Sequence, residues 1–298
     1  MLKSIYSYST ERKKDMYRQL FALSVNEQFG VDTKTQIKMF KEAGFDGFFT
    51  PWKSGDPIEE YAAYAKEIGM IYQSIHAPFN KSDDMWHGDD ELAKIAVDEL
   101  IECVNVCADN GIPVMVCHTY IGFDDNRKPN EKGLERYGKI VDEAEKRNVK
   151  IAFENTEGEE YLAALMEHFK DKKHVGFCLD TGHEMCYNFS KDLLALYGDR
   201  LIATHLNDNL GVSDFGGHIF WTDDLHLLPF DGIADWDYIA KRLDEHGYKG
   251  IMTFELNTKS KPDRHENDKY GEIPLEQYLA EAYTRACRVA SKRKINMK

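Results

Sequence analysis

The chain has 298 residues, 42% of them apolar, and its 52 acidic against 38 basic side chains give a formal net charge of −14. That balance favours solubility and disfavours a phosphate backbone as partner, because such affinity comes largely from Lys and Arg. No apolar run approaches the roughly 18 residues of a membrane span, and the polar opening MLKSIYSYSTERKKDMYRQ lacks the apolar core of a signal peptide.

The first 18 or so residues read as a charged N-terminal extension. LFALSV (20–25) is the first strand candidate. DTKTQIKMFKEAG (32–44) then opens with a helix cap and closes on glycine. FDGFFT (45–50) is a second strand, PIEEYAAYAKEIG (57–69) a helix, and MIYQSIHAPF a third strand reaching His76. A long helix, DELAKIAVDELIECVNVCADNG, leads to IPVMVCH (112–118), a fourth strand that also ends in histidine. After the helix EKGLERYGKIVDEAEKRN (131–148), the fifth strand VKIAFE (149–154) ends at Glu154.

The helix GEEYLAALMEHF precedes a sixth strand, whose apolar run Val175 to Leu179 stops at Asp180. Thr181 and Gly182 are read as a turn, with His183 three residues beyond the carboxylate. SKDLLALYG (190–198) is a short helix, and RLIATHLND (200–208) a seventh strand containing His205. A long loop (209–231) precedes the helix ADWDYIAKRLDEHG (234–247) and the eighth strand GIMTFELN (250–257), which ends near Glu255. The last helix covers about 274–292.

Eight alternations of apolar strand and amphipathic helix imply a parallel sheet, because strands buried on both faces are apolar throughout. An open sheet gathers ligands mainly at one switch point. Here His76, His118, Glu154, Asp180, His205 and Glu255 end six consecutive strands. Only a closed barrel brings six successive strand ends around one centre. The expected fold is therefore a single-domain (β/α)8 TIM barrel over 1–298, with loop 209–231 over its site. Neither a glycine-rich dinucleotide fingerprint nor a P-loop lysine motif occurs. The six cysteines form no C-x-x-C pair and read as free thiols of a reducing cytoplasm.

Divalent ions that serve proton or hydrolytic chemistry take mixed carboxylate and imidazole ligands. Glu154, Asp180, His205 and Glu255 offer three carboxylates and one imidazole from neighbouring strand ends. One polar residue at a strand end is ordinarily a rim residue; four at successive barrel tops point to a metal. His76, His118, His183, Asp224 and His226 form a second set, read as substrate contacts or as ties for the long loop. Trp52, after the second strand, is the one aromatic given a substrate role. Phe215, Phe220 and Trp221 in the long loop are equally compatible with ordinary packing.

The motifs IHAPF, CHTY, AFEN, CLDTGH, THLNDN, DLHLLPFDG and TFEL, in this order over roughly residues 20 to 290, resemble the xylose isomerase-like barrel proteins. That superfamily includes sugar phosphate isomerase/epimerase-type enzymes and the endonuclease IV group. The resemblance implies that Glu154, Asp180, His205 and Glu255 hold one divalent ion, manganese foremost, with zinc, magnesium or cobalt as alternatives. In the ketose 3-epimerase branch the glutamates matching Glu154 and Glu255 also act as acid and base; in the mechanism expected here, one glutamate removes the proton and the other, or His183, delivers one.

Two features cut across it. The ketose 3-epimerase branch carries an arginine shortly after the seventh-strand histidine, and residues 206–241 contain none. Conversely, the second set matches positions that complete a three-zinc cluster in endonuclease IV, although DTGH replaces that group's DTCH. The expected activity is proton transfer through an enediolate on a monosaccharide or derivative, in the cytoplasm. A small sugar is the expected partner, with no nucleic acid, no membrane and room for a homo-oligomer. The alternatives are a keto-sugar lyase or C-glycoside-cleaving enzyme, an abasic-site DNA nuclease, and a non-catalytic sugar-binding barrel.

Overall fold

The computed structural model describes residues 18–123 and 126–294. Among these, eight strands form one parallel sheet: β1 Phe21–Ser24, β2 Gly47–Pro51, β3 Ile71–His76, β4 Val114–His118, β5 Lys150–Glu154, β6 Val175–Asp180, β7 Leu201–His205 and β8 Met252–Phe254. Each strand pairs with its sequence neighbour, and β1 pairs with β8. The circle closes through Leu206, which bridges Phe254 and exchanges backbone hydrogen bonds with Thr253 and Glu255 at 2.8 and 3.2 Å. The single-domain barrel read from the alternation is the fold found. The expected N-terminal extension lies outside the described residues, apart from Arg18.

Strand periodicity sorts the core. Outward residues such as Met115, Ile151, Phe153, Phe177 and Leu179 pack in the main apolar cluster with the surrounding helices. Inward residues Val114, Val116, Ala152, Cys178 and Ala203 form a second, smaller cluster inside the barrel. The crossovers contain the expected helices Thr33–Ala43, Ile58–Ile68, Asp90–Asp109, Glu131–Arg147, Glu159–His168, Trp236–Glu245 and Leu275–Ser291.

Local differences cluster after β3 and β6. Ser82–His87 forms a helix that the periodicity does not announce. Thr181–Cys186 is helical rather than a turn, because the Asp180 carboxylate accepts the His183 backbone N–H at 2.7 Å and caps it. The helix expected over 190–198 shortens to Leu194–Tyr197, since its early residues serve other bonds. Asp192 binds Arg242 at 2.9 Å, and the Leu193 N–H donates to Glu184 at 3.1 Å. All six cysteines are free, five buried and Cys287 exposed. No described helix is long and apolar enough to cross a membrane.

Candidate metal centre

The inward face that carries small apolar residues deep in the barrel ends in ionisable ones. Glu154, at the end of β5, is fully buried, and its Oε1 lies 3.0 Å from His205 Nδ1. Glu255, just past β8, approaches the same nitrogen with Oε2 at 2.9 Å. With Asp180 these residues offer ligand atoms all within 4.8 Å of one another. The second set converges too. His76 and His118 each bring Nε2 to 3.4 Å from Glu154 Oε2, and His183 Nδ1 lies 3.7 Å from Oε1. Asp224 then joins His183, at 3.6 Å, to His226, at 2.7 Å. Three further groups result: His76, Glu154 and His205; His118, Glu154 and His183; His183, Asp224 and His226.

Neighbours that the sequence reading passed over fix these side chains. Asn207 donates to both Asp180 oxygens, at 3.2 and 2.9 Å, and is tied by its backbone to Thr181. A Cβ on Gly182 would sit 2.0 Å from Asn207 Oδ1, so the glycine of DTGH is the condition for this clamp. Asn155 accepts the Asp180 backbone N–H at 2.8 Å, and its own carbonyl lies 2.9 Å from His183 Nδ1. Three aromatic rings stack on the imidazoles: Phe49 on His205 at 4.6 Å, Phe79 on His118 at 4.6 Å and Tyr187 on His183 at 4.9 Å. The asparagines stand inside motifs already singled out, AFEN and THLND. Phe49 has no sequence signal beyond strand composition. His226 has φ 51°, a left-handed conformation that is uncommon outside glycine. The Asn257 N–H donates to its carbonyl at 3.0 Å and helps fix that turn.

Electrostatics set the protonation states. Burial raises the Asp180 carboxyl to about 6. Burial also opposes ionisation of Glu154, but His205, His118 and His76 outweigh it and hold that carboxyl well below the usual range. Glu255 is likewise pushed up by burial, yet His205 and His226 bring it down to about 2. Desolvation lowers His118 to about 4, leaving it neutral. His226 resists its own desolvation through Asp224 and rises to about 9.

The donor set fits a divalent cation. Glu154 Oε2 and Asp224 Oδ1 are buried oxygens with no hydrogen-bond donor, and an unsatisfied buried anion is costly unless a cation or donor meets it. Both atoms face imidazole nitrogens in the ligand groups described above. Trp52 follows Pro51, which pairs in register with His76. It is buried in the main core and lines a separate cavity of about 230 Å³ with Val25, Thr50 and Tyr61. Loop 209–231 is anchored at its base, where the buried Asp208 accepts from the N–H groups of Phe230 and Ala234 and from the Trp236 indole at 2.7 to 2.9 Å. Asp224 and His226 join the loop to the centre.

A model of the xylose isomerase-like TIM barrel matches residues 37–282. The chain belongs to that family. An uncharacterised protein y4fM from Sinorhizobium fredii is 32% identical over 256 residues, covering 74% of this chain and 79% of its own. A probable endonuclease 4 from Acholeplasma laidlawii is 27% identical, over 65% of this chain and 70% of its own. Among solved structures, D-psicose 3-epimerase from Clostridium cellulolyticum H10 superposes with a TM-score of 0.71 at 16% identity, over 91% of this chain and 98% of its own. That last likeness is one of fold. Family membership agrees with the resemblance carried by the motifs.

Proposed function

We propose that this chain is a metal-dependent sugar isomerase or epimerase that moves a proton beside a carbonyl. The observation that carries the reading is the position of Glu154 and Glu255. Two carboxylates from β5 and from the end of β8 meet the same atom, His205 Nδ1, at 3.0 and 2.9 Å. A divalent ion held by Glu154, Asp180, His205 and Glu255, manganese foremost for so oxygen-rich a set, supplies charge that stabilises negative oxygens on the substrate.

The chain's own residues do the rest. Glu255, with a side chain 23% exposed against 0% for Glu154, is the carboxylate open to an incoming sugar. It is ionised at neutral pH and can accept the proton beside the carbonyl, while Glu154 or His183 returns one from another direction. A carboxylate is a weak base in water, so exclusion of solvent matters. The anchored loop 209–231, which carries Asp224 and His226, would cover the sugar. Elimination from a keto-sugar begins with the same proton removal, so a lyase shares this machinery. Buried free thiols support a cytoplasmic setting.

The test is solvent exchange. Metal-loaded protein is incubated in deuterated water with ketoses and aldoses, free and phosphorylated, and products are read by mass spectrometry. Deuterium at the carbon beside the carbonyl is expected; none in any sugar overturns the reading. A second reading, an abasic-site DNA nuclease, is favoured by the three further ligand groups and by relatives bearing the endonuclease 4 name. The net charge of −14 weighs against it. Three zinc ions per chain, with cleavage of abasic duplex DNA abolished by Glu154→Gln, would establish that reading instead.

A further inference from the structure

Beside the metal centre lies a cavity of about 410 Å³ formed by the loop after β4, the loop after β5 and the tip of the long loop after β7. Its volume falls within the roughly 300–1,000 Å³ of small-molecule sites. Tyr187 links it to the centre: one ring stacks on His183 at 4.9 Å and meets Phe123, in the cavity wall, edge-on at 5.7 Å. Glu157 lies in the lining, only 4% exposed, with its Oε1 accepting the Gly122 N–H at 3.0 Å. The Tyr120 and Tyr161 rings, stacked 3.9 Å apart, stiffen the base, and Ile219 and His218 complete the outer edge. Asp214 orients His218 at 2.6 Å.

The charge of this cavity is selective. No lysine or arginine occurs among its described lining residues, whereas Glu157 and Glu160 both do. Lys128 is already engaged by Glu160 at 2.7 Å, and Arg127 by Asp83 at 2.8 Å. The helix Glu159–His168 starts at the cavity edge, but Glu159 and Glu160 in its first turn already answer its dipole. A phosphate would therefore meet two carboxylates in the described lining, and the Lys128 ammonium beside it is already paired with Glu160. Sugar hydroxyls suit the same groups: a buried carboxyl accepts them, and Phe123 and Ile219 offer apolar surface to the ring's C–H edges. Burial raises Glu157 to about 7, so near neutrality it can donate as well as accept.

We propose that this cavity is a subsite for a second, uncharged sugar ring, making the substrate a glycoside or disaccharide rather than a sugar phosphate. The inference rests on the isomerase reading for what happens at the first ring. Binding is measured by titration calorimetry on the metal-loaded full chain with four probes: fructose, fructose 6-phosphate, isomaltulose and cellobiose. At least one disaccharide is expected to bind about tenfold or more tighter than fructose, and fructose 6-phosphate no tighter than fructose. Glu157→Gln, which keeps an acceptor for Gly122, and His218→Ala, at an exposed position, should each weaken disaccharide binding several-fold more than fructose binding.

Tighter binding of fructose 6-phosphate, disaccharides no tighter than fructose, absence of binding by all four, or equal losses for both probes in the variants would each overturn the subsite. Solvent exchange separates the two claims. Exchange into fructose without a disaccharide advantage removes the subsite and leaves the isomerase. A disaccharide advantage without exchange in any sugar does the reverse.

Discussion

Two successive inward positions on the same four strands behave as different materials. Val116, Ala152, Cys178 and Ala203 belong to a small apolar cluster inside the barrel. Two residues later on each strand stand His118, Glu154, Asp180 and His205. Because side chains alternate at period two, both positions share one face, and the change from packing to chemistry takes one step. The deeper position is made of residues that need only fill space. The shallower one is made of groups whose burial is tolerable only in company: Glu154 is surrounded by four imidazoles, and Asp180 is clamped by Asn207. Stability and activity should therefore separate between the two positions.

The largest effect is expected at the shallower one. Glu154→Gln or Glu255→Gln should lower the rate of proton exchange roughly 10²-fold or more. Asp180→Asn should lose most of the metal while circular dichroism still reports a folded barrel. A turnover rate within twofold of the parent for both glutamine variants would remove these residues from the chemistry.

Next comes the support behind the ligands. Gly182→Ala puts a methyl group 2.0 Å from Asn207 Oδ1, so the clamp on Asp180 must shift. Loss of such an outer partner typically costs about 10–100-fold in metal affinity, measurable by competition with a chelator. Unchanged affinity would show that Asp180 is positioned by its strand alone.

The barrel itself was legible because its cause is spread along the chain: eight apolar runs alternate with amphipathic helices, several of them capped by Asp or Asn or closed by glycine. The ligand set was legible for a narrower reason, since five strands end in His, Asp or Glu and β8 stops one residue short of Glu255. The supports were harder to see. Phe49 looks like any strand phenylalanine until closure of the barrel stacks it on His205, 156 positions away in the sequence by subtraction of the two numbers. Trp52, which also follows a strand end, is buried in the core and lines a cavity with Thr50 and Tyr61, a placement that local composition does not reveal. The helix at Thr181–Cys186 depends on one hydrogen bond from His183 to Asp180, which composition does not reveal.

A pH dependence follows from the shallower position. In the metal-free protein, desolvation opposes protonation of His205 and His226, but neighbouring carboxylates prevail: His205 is raised well above 6.5 and His226 to about 9. For a raised histidine, the stabilisation is fully present below the unfolded value near 6.5 and is lost as pH climbs through the folded value. The metal-free chain should thus lose stability between pH 6.5 and 9. Ligation requires neutral imidazole, so uptake at the Glu154, Asp180, His205 and Glu255 site must release the His205 proton, and affinity should rise about tenfold per pH unit for that proton. Calorimetry in buffers of different ionisation enthalpy detects it; no proton release at pH 7 would contradict the assignment.

The smallest expected effect tests the deeper position. Cys178 is fully buried and pairs in register with Glu154 on one side and Ala203 on the other. A thiol so near a metal centre invites a catalytic reading, but its surroundings oppose it. Burial, with Glu154 adding to it, pushes the thiol well above its ordinary value, so the thiolate that would ligate or attack does not form near neutral pH. None of the ligand groups includes it. Cys178 is then a space-filler, and Cys178→Ala removes one sulfur's worth of packing, about 1 kcal/mol by analogy with single-methylene deletions. A small drop in the urea midpoint is expected, with metal content and turnover unchanged. Loss of the metal in this variant, with the midpoint unmoved, would mean that the deeper position belongs to the chemistry and that the division between the two is drawn in the wrong place.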